Sequence, residues 1–143
     1  MSYSGKYLPS YPKKYRGNVA NIIYRSLWER KFMVYCDLNE HILEWSSEEI
    51  IIPYRSPHDG RYHRYYPDFY VKVKNEVGIK VYIVEVKPKK QTVEPKLPKR
   101  KTKQYINEVF QYTKNQAKWK AAKEWCADRK YEFKIVTEVD LKV

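Results

Sequence analysis

Several ingredients of common enzyme sites are scarce or missing in this chain of 143 residues. Its two cysteines, Cys36 and Cys126, have no cysteine or histidine at the spacing of zinc ligands, so zinc chemistry is excluded and both thiols are expected to be reduced and buried. There is no glycine-rich phosphate loop among the four glycines, and no serine or cysteine stands in a recognisable nucleophile motif. These absences also exclude nucleotide hydrolysis by a phosphate-loop enzyme.

Long apolar runs are missing as well. No stretch approaches the length of about 18 apolar residues that a membrane helix needs, and the N-terminus lacks the charged-then-apolar pattern of a secretory signal. We therefore expect no membrane contact, and a protein that stays in the cytoplasm of the cell that makes it.

Acidic residues are outnumbered by basic ones, 17 against 29, which gives a net charge of +12. Such an excess attracts polyanions, so nucleic acid is the leading partner class. The basic groups concentrate in two segments rich in proline. We predict a basic N-terminal arm over residues 1–17 and a single domain over residues 18–143 with a basic loop at 88–103. The predicted DNA contacts are Lys13, Lys14, Arg16, Lys89, Lys90, Lys99, Arg100, Lys101 and Lys103.

Hydrophobic periodicity predicts the order of the structural elements. A first helix with Asn18 or Asn21 as its cap precedes three runs of β-branched and aromatic residues, a second helix and a last strand, YEFKIVTE. An apolar stripe that includes Ile106 and Phe110 marks the second helix. The order helix, three strands, helix, strand predicts a mixed α/β domain whose sheet is flanked by two helices. The predicted helices are 21–38 and 103–129, and the strands 49–55, 63–74 and 79–87.

A carboxylate interrupts the most apolar strand, YIVEVKPKK. Because side chains alternate along a strand, Glu85 and Lys87 share one face. A buried carboxylate costs several kcal/mol unless a cation compensates it. A second acid, Asp68, begins the strand PDFYVKV, and it approaches Glu85 if the two strands are antiparallel neighbours. Two adjacent carboxylates favour a hard divalent ion such as Mg²⁺ or Mn²⁺, whose remaining positions hold water that can become a nucleophile.

Helix one contributes a third acid, Glu29. At 100° per residue it lies within about 60° of Phe32 and Met33, which favours an inward orientation. Structural alternatives remain open for each acid: Glu29 paired with a neighbouring base on the surface, Asp68 as a simple strand start, and Glu85 in an ion pair with Lys87.

The two motifs PD at 67–68 and EVK at 85–87, in this element order, resemble the PD-(D/E)XK nuclease superfamily with its αβββαβ, restriction-endonuclease-like core. Longer strings, among them MSYSGKY, YRSLWERKFM, EWSSEEIIIPY, PDFYVKV and EVKPKK, are similar to the head completion nucleases of T4-like tailed phages. A more distant similarity, in the glutamate of helix one and the closing VTE, is to the catalytic domain of the Tn7-type transposase endonuclease.

The resemblance implies roles for individual residues. Asp68 and Glu85 would be metal ligands, the main-chain carbonyl of Val86 would add an oxygen, and Lys87 would position or activate the attacking water. Glu29 would hold a water of the metal or a second ion. Alternation does not decide which of Glu48 and Glu49 faces the site, so Glu49 is a weak candidate only.

We therefore predict a Mg²⁺- or Mn²⁺-dependent DNA endonuclease of low sequence specificity. The resemblance places it in phage head completion on packaged DNA ends, with capsid portal or neck proteins as partners, in the infected host's cytoplasm or the virion. The alternatives are a structure-specific junction-resolving nuclease, which usually acts as a symmetric dimer, and a catalytically inactive DNA-binding head structural protein.

Overall fold

The computed structural model describes residues 3–142, which form a central sheet with a helix on each face. No helix in this part of the chain is long and apolar enough to cross a membrane. The helices are α1 (Leu27–Leu38), α2 (Lys103–Arg129) and α3 (Glu138–Leu141). The strands are β1 (Gly5–Lys6), β2 (Ile23–Tyr24), β3 (Ile42–Ser47), β4 (Ile52–Arg55), β5 (Tyr62–Tyr65), β6 (Phe69–Asn75), β7 (Gly78–Val86) and β8 (Glu132–Val136).

The central sheet is mixed and has the order β3-β6-β7-β8. Strand β6 is antiparallel to β3 and to β7, whereas β8 runs parallel to β7 after the crossover through α2. In chain order α1, β3, β6, β7, α2 and β8 form the αβββαβ core, with the β4–β5 hairpin inserted. The predicted mixed α/β architecture is confirmed, and it is compatible with a restriction-endonuclease-like core.

The two faces of the sheet carry separate hydrophobic clusters. On one face Phe32 of α1 packs against Phe69 of β6, with ring centroids 4.7 Å apart, and Val84 of β7 belongs to the same cluster. On the other face Trp119 of α2 shares a cluster with Ile83 of β7. Neighbouring residues of β7 therefore point toward different helices.

The strand predictions need two corrections. One of the two edge strands of the sheet, β3, was not predicted. The predicted strand 49–55 overlaps β4, which pairs with β5 in a separate hairpin. The predicted strand 63–74 divides into β5 and β6, because Pro67 has no N–H group to donate to a ladder. The predicted strand 79–87 agrees with β7.

Helix boundaries also differ from prediction. Helix α1 begins at Leu27, where the Ser26 hydroxyl accepts from the Glu29 amide, and Asn18 caps a short 3₁₀ turn instead. The last strand ends at Val136 because Thr137 begins α3 with a capping box. Helix α2 has the predicted bounds.

The apolar stripe predicted on α2 is wrong in the first half of the helix. Ile106 and Phe110 are 59% and 42% exposed. The buried residues of α2 are Asn115, Trp119, Ala122 and Cys126. Only the second half of the helix packs on the sheet, so apolar spacing alone misassigned the buried face.

The N-terminal segment is more closely packed than the predicted extended arm. Strand β1 pairs with β2, and Tyr7 and Tyr15 are 7% and 6% exposed beside Trp45. These aromatic contacts and the β1–β2 pairing hold the segment against the domain.

A fully buried acid, Asp37, fastens this segment to α1. Its carboxylate accepts hydrogen bonds from the Tyr7 hydroxyl and from the main-chain amides of Ser10 and Tyr11, at 2.7 to 3.0 Å. The Lys14 ammonium donates to the carbonyl oxygens of Cys36, Asp37 and Asn39 at 2.8 Å each, which satisfies the C-terminal end of α1. Burial, and then the carboxylate of Asp37, raise the pKa of Tyr7.

Asp37→Asn should lower the free energy of unfolding by about 2–3 kcal/mol, because an amide replaces one acceptor oxygen by an N–H₂ group facing buried donors. Urea denaturation followed by circular dichroism measures the change. The control Asp128→Asn alters an exposed aspartate on α2 and should change the stability by less than about 0.5 kcal/mol. Equal stabilities of the two variants would contradict the proposed role of Asp37.

Candidate active site

Asp68 and Glu85 lie opposite each other at the end of the β6–β7 ladder. The last paired residues are Phe69 and Val84, so Asp68 and Glu85 occupy the next register position. The Val86 amide donates to Asp68 Oδ2 at 2.8 Å, and the Asp68 amide donates to Glu85 Oε1 at 3.3 Å. Each strand thus orients the carboxylate of the other, and both carboxylates are held by rigid backbone.

The orientation of Glu85 follows from alternation along β7. Val84 and Val86 belong to the cluster on the α1 face, and Ile83 belongs to the cluster on the α2 face. Glu85, which is 5% exposed, therefore points to the α2 face with Ile83. The next residue with this orientation is Lys87.

Two negative charges are poorly compensated at this position. Burial, and then repulsion from Glu85, raise the pKa of Asp68 well above its usual value, while the Val86 amide and Lys87 act in the opposite direction. Burial also raises the pKa of Glu85, and Lys87 is the largest opposing influence. Neither carboxyl is returned to its usual pKa by these opposing influences, so the pair favours an additional cation.

Glu29 approaches this pair from α1. The Ser26 hydroxyl and Glu29 cap the first turn, with 3.2 Å between Ser26 Oγ and Glu29 Oε2. Burial, and then the negative charge of Asp68, raise the pKa of Glu29. Asp68 and Glu85 are thus adjacent, with Lys87 within electrostatic range of both, and Glu29 lies close enough to Asp68 for the two charges to interact without joining the pair in a cluster of three acids.

Of the two adjacent acids Glu48 and Glu49, it is Glu48 that lies toward the site. Its amide donates to the Asp68 carbonyl at 3.1 Å, its side chain pairs with Arg25, and its charge contributes to the raised pKa of Glu29. Glu49, the weak candidate, instead contacts Tyr15 and lies against the backbone of Gly17. Glu48 has a left-handed φ of 54°, so the alternation of an extended strand does not apply at this position.

Two residues near the acids were missed by the sequence reasoning. Tyr65, at the end of β5, is 3% exposed, and its hydroxyl lies close to the Glu85 carboxylate. Burial, and then the charge of Glu85, raise the pKa of Tyr65. Lys118 of α2 has its ammonium 5.5 Å from the Tyr65 ring centroid, and its pKa is lowered by burial and then by Lys114. The only sequence signal was a lysine beside the buried Trp119.

The predicted DNA contacts are exposed with one exception, the half-buried Lys14, whose ammonium caps α1. Lys89 and Lys90 begin a 3₁₀ turn directly after Pro88. The Arg16 guanidinium donates to the Tyr70 hydroxyl at 3.2 Å. The basic loop thus continues from the same strand that carries Glu85 and Lys87.

Within residues 3–142, no three histidine, cysteine, aspartate or glutamate side chains converge into a preformed metal site. The oxygen donors near the acid pair are two carboxylates and main-chain carbonyls. Such a set suits a hard divalent cation that keeps several waters better than it suits a softer ion.

A nuclease class is indicated by this fold and by the comparison with known families. The chain belongs to the family described as TnsA-like endonuclease N terminal, whose model matches residues 39–138, a range that includes Asp68 and Glu85 but not Glu29. The chain is 38% identical over 146 residues to the head completion nuclease of Enterobacteria phage T4, covering 99% of this chain and 95% of that protein. No solved structure matches it. The resemblances to phage head completion nucleases and to the Tn7-type endonuclease are thereby confirmed.

Asp68→Asn should stabilise the metal-free protein at neutral pH, by about 1–2 kcal/mol. The pKa of the Asp68 carboxyl is higher in the folded protein than in the unfolded chain. Above the ordinary pKa of aspartate the unfolded chain ionises this carboxyl more readily than the folded protein does, so the carboxyl lowers the free energy of unfolding. The extra stability of Asp68→Asn over the parent should disappear as the pH falls below the ordinary pKa of aspartate. Urea denaturation of both proteins in EDTA, at a series of pH values, measures this difference.

The exposed residue Asp128 again supplies the matched control, since Asp128→Asn should change stability little at any pH. An Asp68→Asn protein that is less stable than the parent at neutral pH would mean that its hydrogen bond from Val86 outweighs the repulsion from Glu85.

Proposed function

We propose that the protein is a metal-dependent DNA endonuclease of the PD-(D/E)XK type that hydrolyses backbone phosphodiesters. The observation that carries the proposal is the pair of adjacent carboxylates, the half-buried Asp68 and the buried Glu85, held by each other's strand close to Lys87. Membership of an endonuclease family and the similarity to a head completion nuclease support it. Raised pKa values in such a pair are typical of functional sites.

The residues fit a divalent cation, Mg²⁺ or Mn²⁺. Asp68 and Glu85 would hold it, with the Val86 carbonyl as a further oxygen ligand. When bound, such an ion polarises a phosphoryl oxygen and makes water a better nucleophile at neutral pH. Binding would also relieve the repulsion between the two carboxylates.

The remaining steps belong to side chains of the chain itself. Lys87, two residues after Glu85 on the same face, would stabilise the negative charge that develops on the phosphorus-bound oxygens and orient the attacking water. Glu29, whose pKa is raised by burial and by Asp68, would accept a hydrogen bond from water on the α1 side. Lys118 would add positive charge from α2.

DNA would be held through its phosphates by the basic loop and by the exposed lysine and arginine side chains of the N-terminal segment. Contacts to phosphate carry no sequence information, and no helix is placed as in the base-reading motifs, so sequence specificity would be low. By analogy with the phage relative, the protein would act in head completion on packaged DNA ends, with portal or neck proteins as neighbours, in the infected cell or the virion.

Glu85→Gln should reduce cleavage of supercoiled plasmid in Mg²⁺ by at least about 100-fold, because the amide supplies no charge to the cation. Mg²⁺ should also raise the melting temperature of the parent but not of Glu85→Gln. The control Glu124→Gln changes an exposed residue of α2 and should behave as the parent in both measurements. A folded Glu85→Gln protein that cleaves at the parental rate would favour the inactive DNA-binding head protein over the nuclease.

Replacing five basic side chains of the loop by glutamine should weaken DNA binding and flatten its salt dependence. The five residues are Lys89, Lys90, Lys99, Arg100 and Lys101. Each phosphate that the variant no longer neutralises should reduce the slope of log K against log salt by about 0.9. The melting-temperature rise in Mg²⁺ should persist. Fluorescence anisotropy over a salt series measures the slope.

The matched control neutralises five exposed lysines elsewhere on the chain, so that the net charge falls equally. An identical slope in both quintuple variants would show that net charge, and not the basic loop, determines binding. The control lysines are Lys6, Lys31, Lys74, Lys120 and Lys123.

A further inference from the structure

A cavity of about 680 Å³ lies between the basic loop and the first half of α2. Lys87 and Lys118 line it at the end near the acid pair, and Lys90 and Lys96 line it from the loop. The cavity is therefore continuous with the candidate active site. Its volume suits one or two unstacked nucleotides, since small-molecule sites measure about 300–1,000 Å³, and it does not suit the full width of a duplex.

Helix α2 faces this cavity with amides. Seven cavity-lining positions of α2 and three buried positions of its second half fall within an arc of about 140°, at 100° per residue. The same side of one helix thus packs on the sheet in its second half and faces the cavity in its first half. The cavity positions are Gln104, Asn107, Glu108, Gln111, Tyr112, Asn115 and Lys118, and the buried ones Trp119, Ala122 and Cys126.

These amides are available to a ligand. Asn115 is 8% exposed and borders the cavity, and Asn107 and Gln111 line it as exposed side chains. Gln104 donates only to Glu108, at 3.3 Å. Amides that face an open space can donate to and accept from a bound group.

The chemistry of the lining favours bases over phosphates alone. A side-chain amide both donates and accepts hydrogen bonds. It can therefore bind the base edges that are used for base pairing in a duplex and are free only in a single strand. Two glutamates, Glu94 and Glu108, reduce the positive charge of the four lysines to a net +2. Tyr112 adds an aromatic ring on which a base can stack.

We propose that this cavity, called here the amide cavity, binds an unpaired strand adjoining the scissile phosphate, so that the preferred substrate is DNA carrying a single-stranded tail or gap. The inference rests on the proposed function, because Lys87 and Lys118 belong both to the amide cavity and to the candidate active site. Lysines would contact the backbone of the strand, and amides its unpaired bases.

The test compares two fluorescent DNA probes, a blunt duplex and the same duplex with a four-nucleotide tail, bound in EDTA so that no cleavage occurs. The parent should bind the tailed probe about tenfold more tightly. The double variant Asn107→Ala, Gln111→Ala should lose about tenfold in affinity for the tailed probe and less than twofold for the blunt one. Both residues are exposed, so the variant should fold, and its melting temperature checks this.

Gln116→Ala is the matched control, because Gln116 is an exposed glutamine of α2 that does not line the amide cavity. It should bind both probes as the parent does. Equal affinity of the parent for the two probes, or an equal loss for both probes in the double variant, would overturn the inference.

Cleavage in Mg²⁺ by the parent and by Glu85→Gln is measured separately. If the parent prefers the tailed probe but does not cleave DNA, the proposed role of the amide cavity stands and the proposed nuclease activity is rejected. If it cleaves DNA but has no preference for the tailed probe, the nuclease activity stands and the role of the amide cavity is rejected.

Discussion

Repulsion between Asp68 and Glu85 is the constraint around which the site is arranged. The antiparallel register of β6 and β7 places the two acids opposite each other, and the main-chain bonds from Val86 and Asp68 prevent them from turning away. Burial between the helices removes the water that would screen them. Lys87, two residues after Glu85, supplies positive charge from the same segment, and Lys118 supplies it from α2. The free energy stored in this arrangement is available to a cation.

Asp37 shows that a buried acid does not define a site by itself. It is 0% exposed, yet three donors saturate its carboxylate, and it serves to join the N-terminal segment to α1. Asp68 has one main-chain donor on its carboxylate and an acid as its neighbour. Asp37 and Asp68 therefore differ in the number of donors around each carboxylate, three against one.

Local patterns in the sequence predicted the parts of the site that come from neighbouring strands. Alternation placed Glu85 with Lys87, and Pro67 marked the start of the strand that follows Asp68. Alternation left open which of Glu48 and Glu49 faces the site, because the left-handed φ of Glu48 interrupts the extended backbone between β3 and β4. Prediction failed for Tyr65 and Lys118, which reach the site from the inserted hairpin and the crossover helix. Packing of elements distant in sequence leaves no local signal.

Helix α2 links the chemistry of the site to its surroundings. As the crossover between β7 and β8 it must cover the sheet, which explains the buried Trp119 and Cys126 of its second half. Its 27 residues extend well beyond the five-residue strand β8, so the first half has no sheet beneath it. An apolar face at that position would promote collapse or aggregation. Amides and lysine there keep the face hydrated, and they make the extension of the helix the natural wall of a cleft that begins at Lys87.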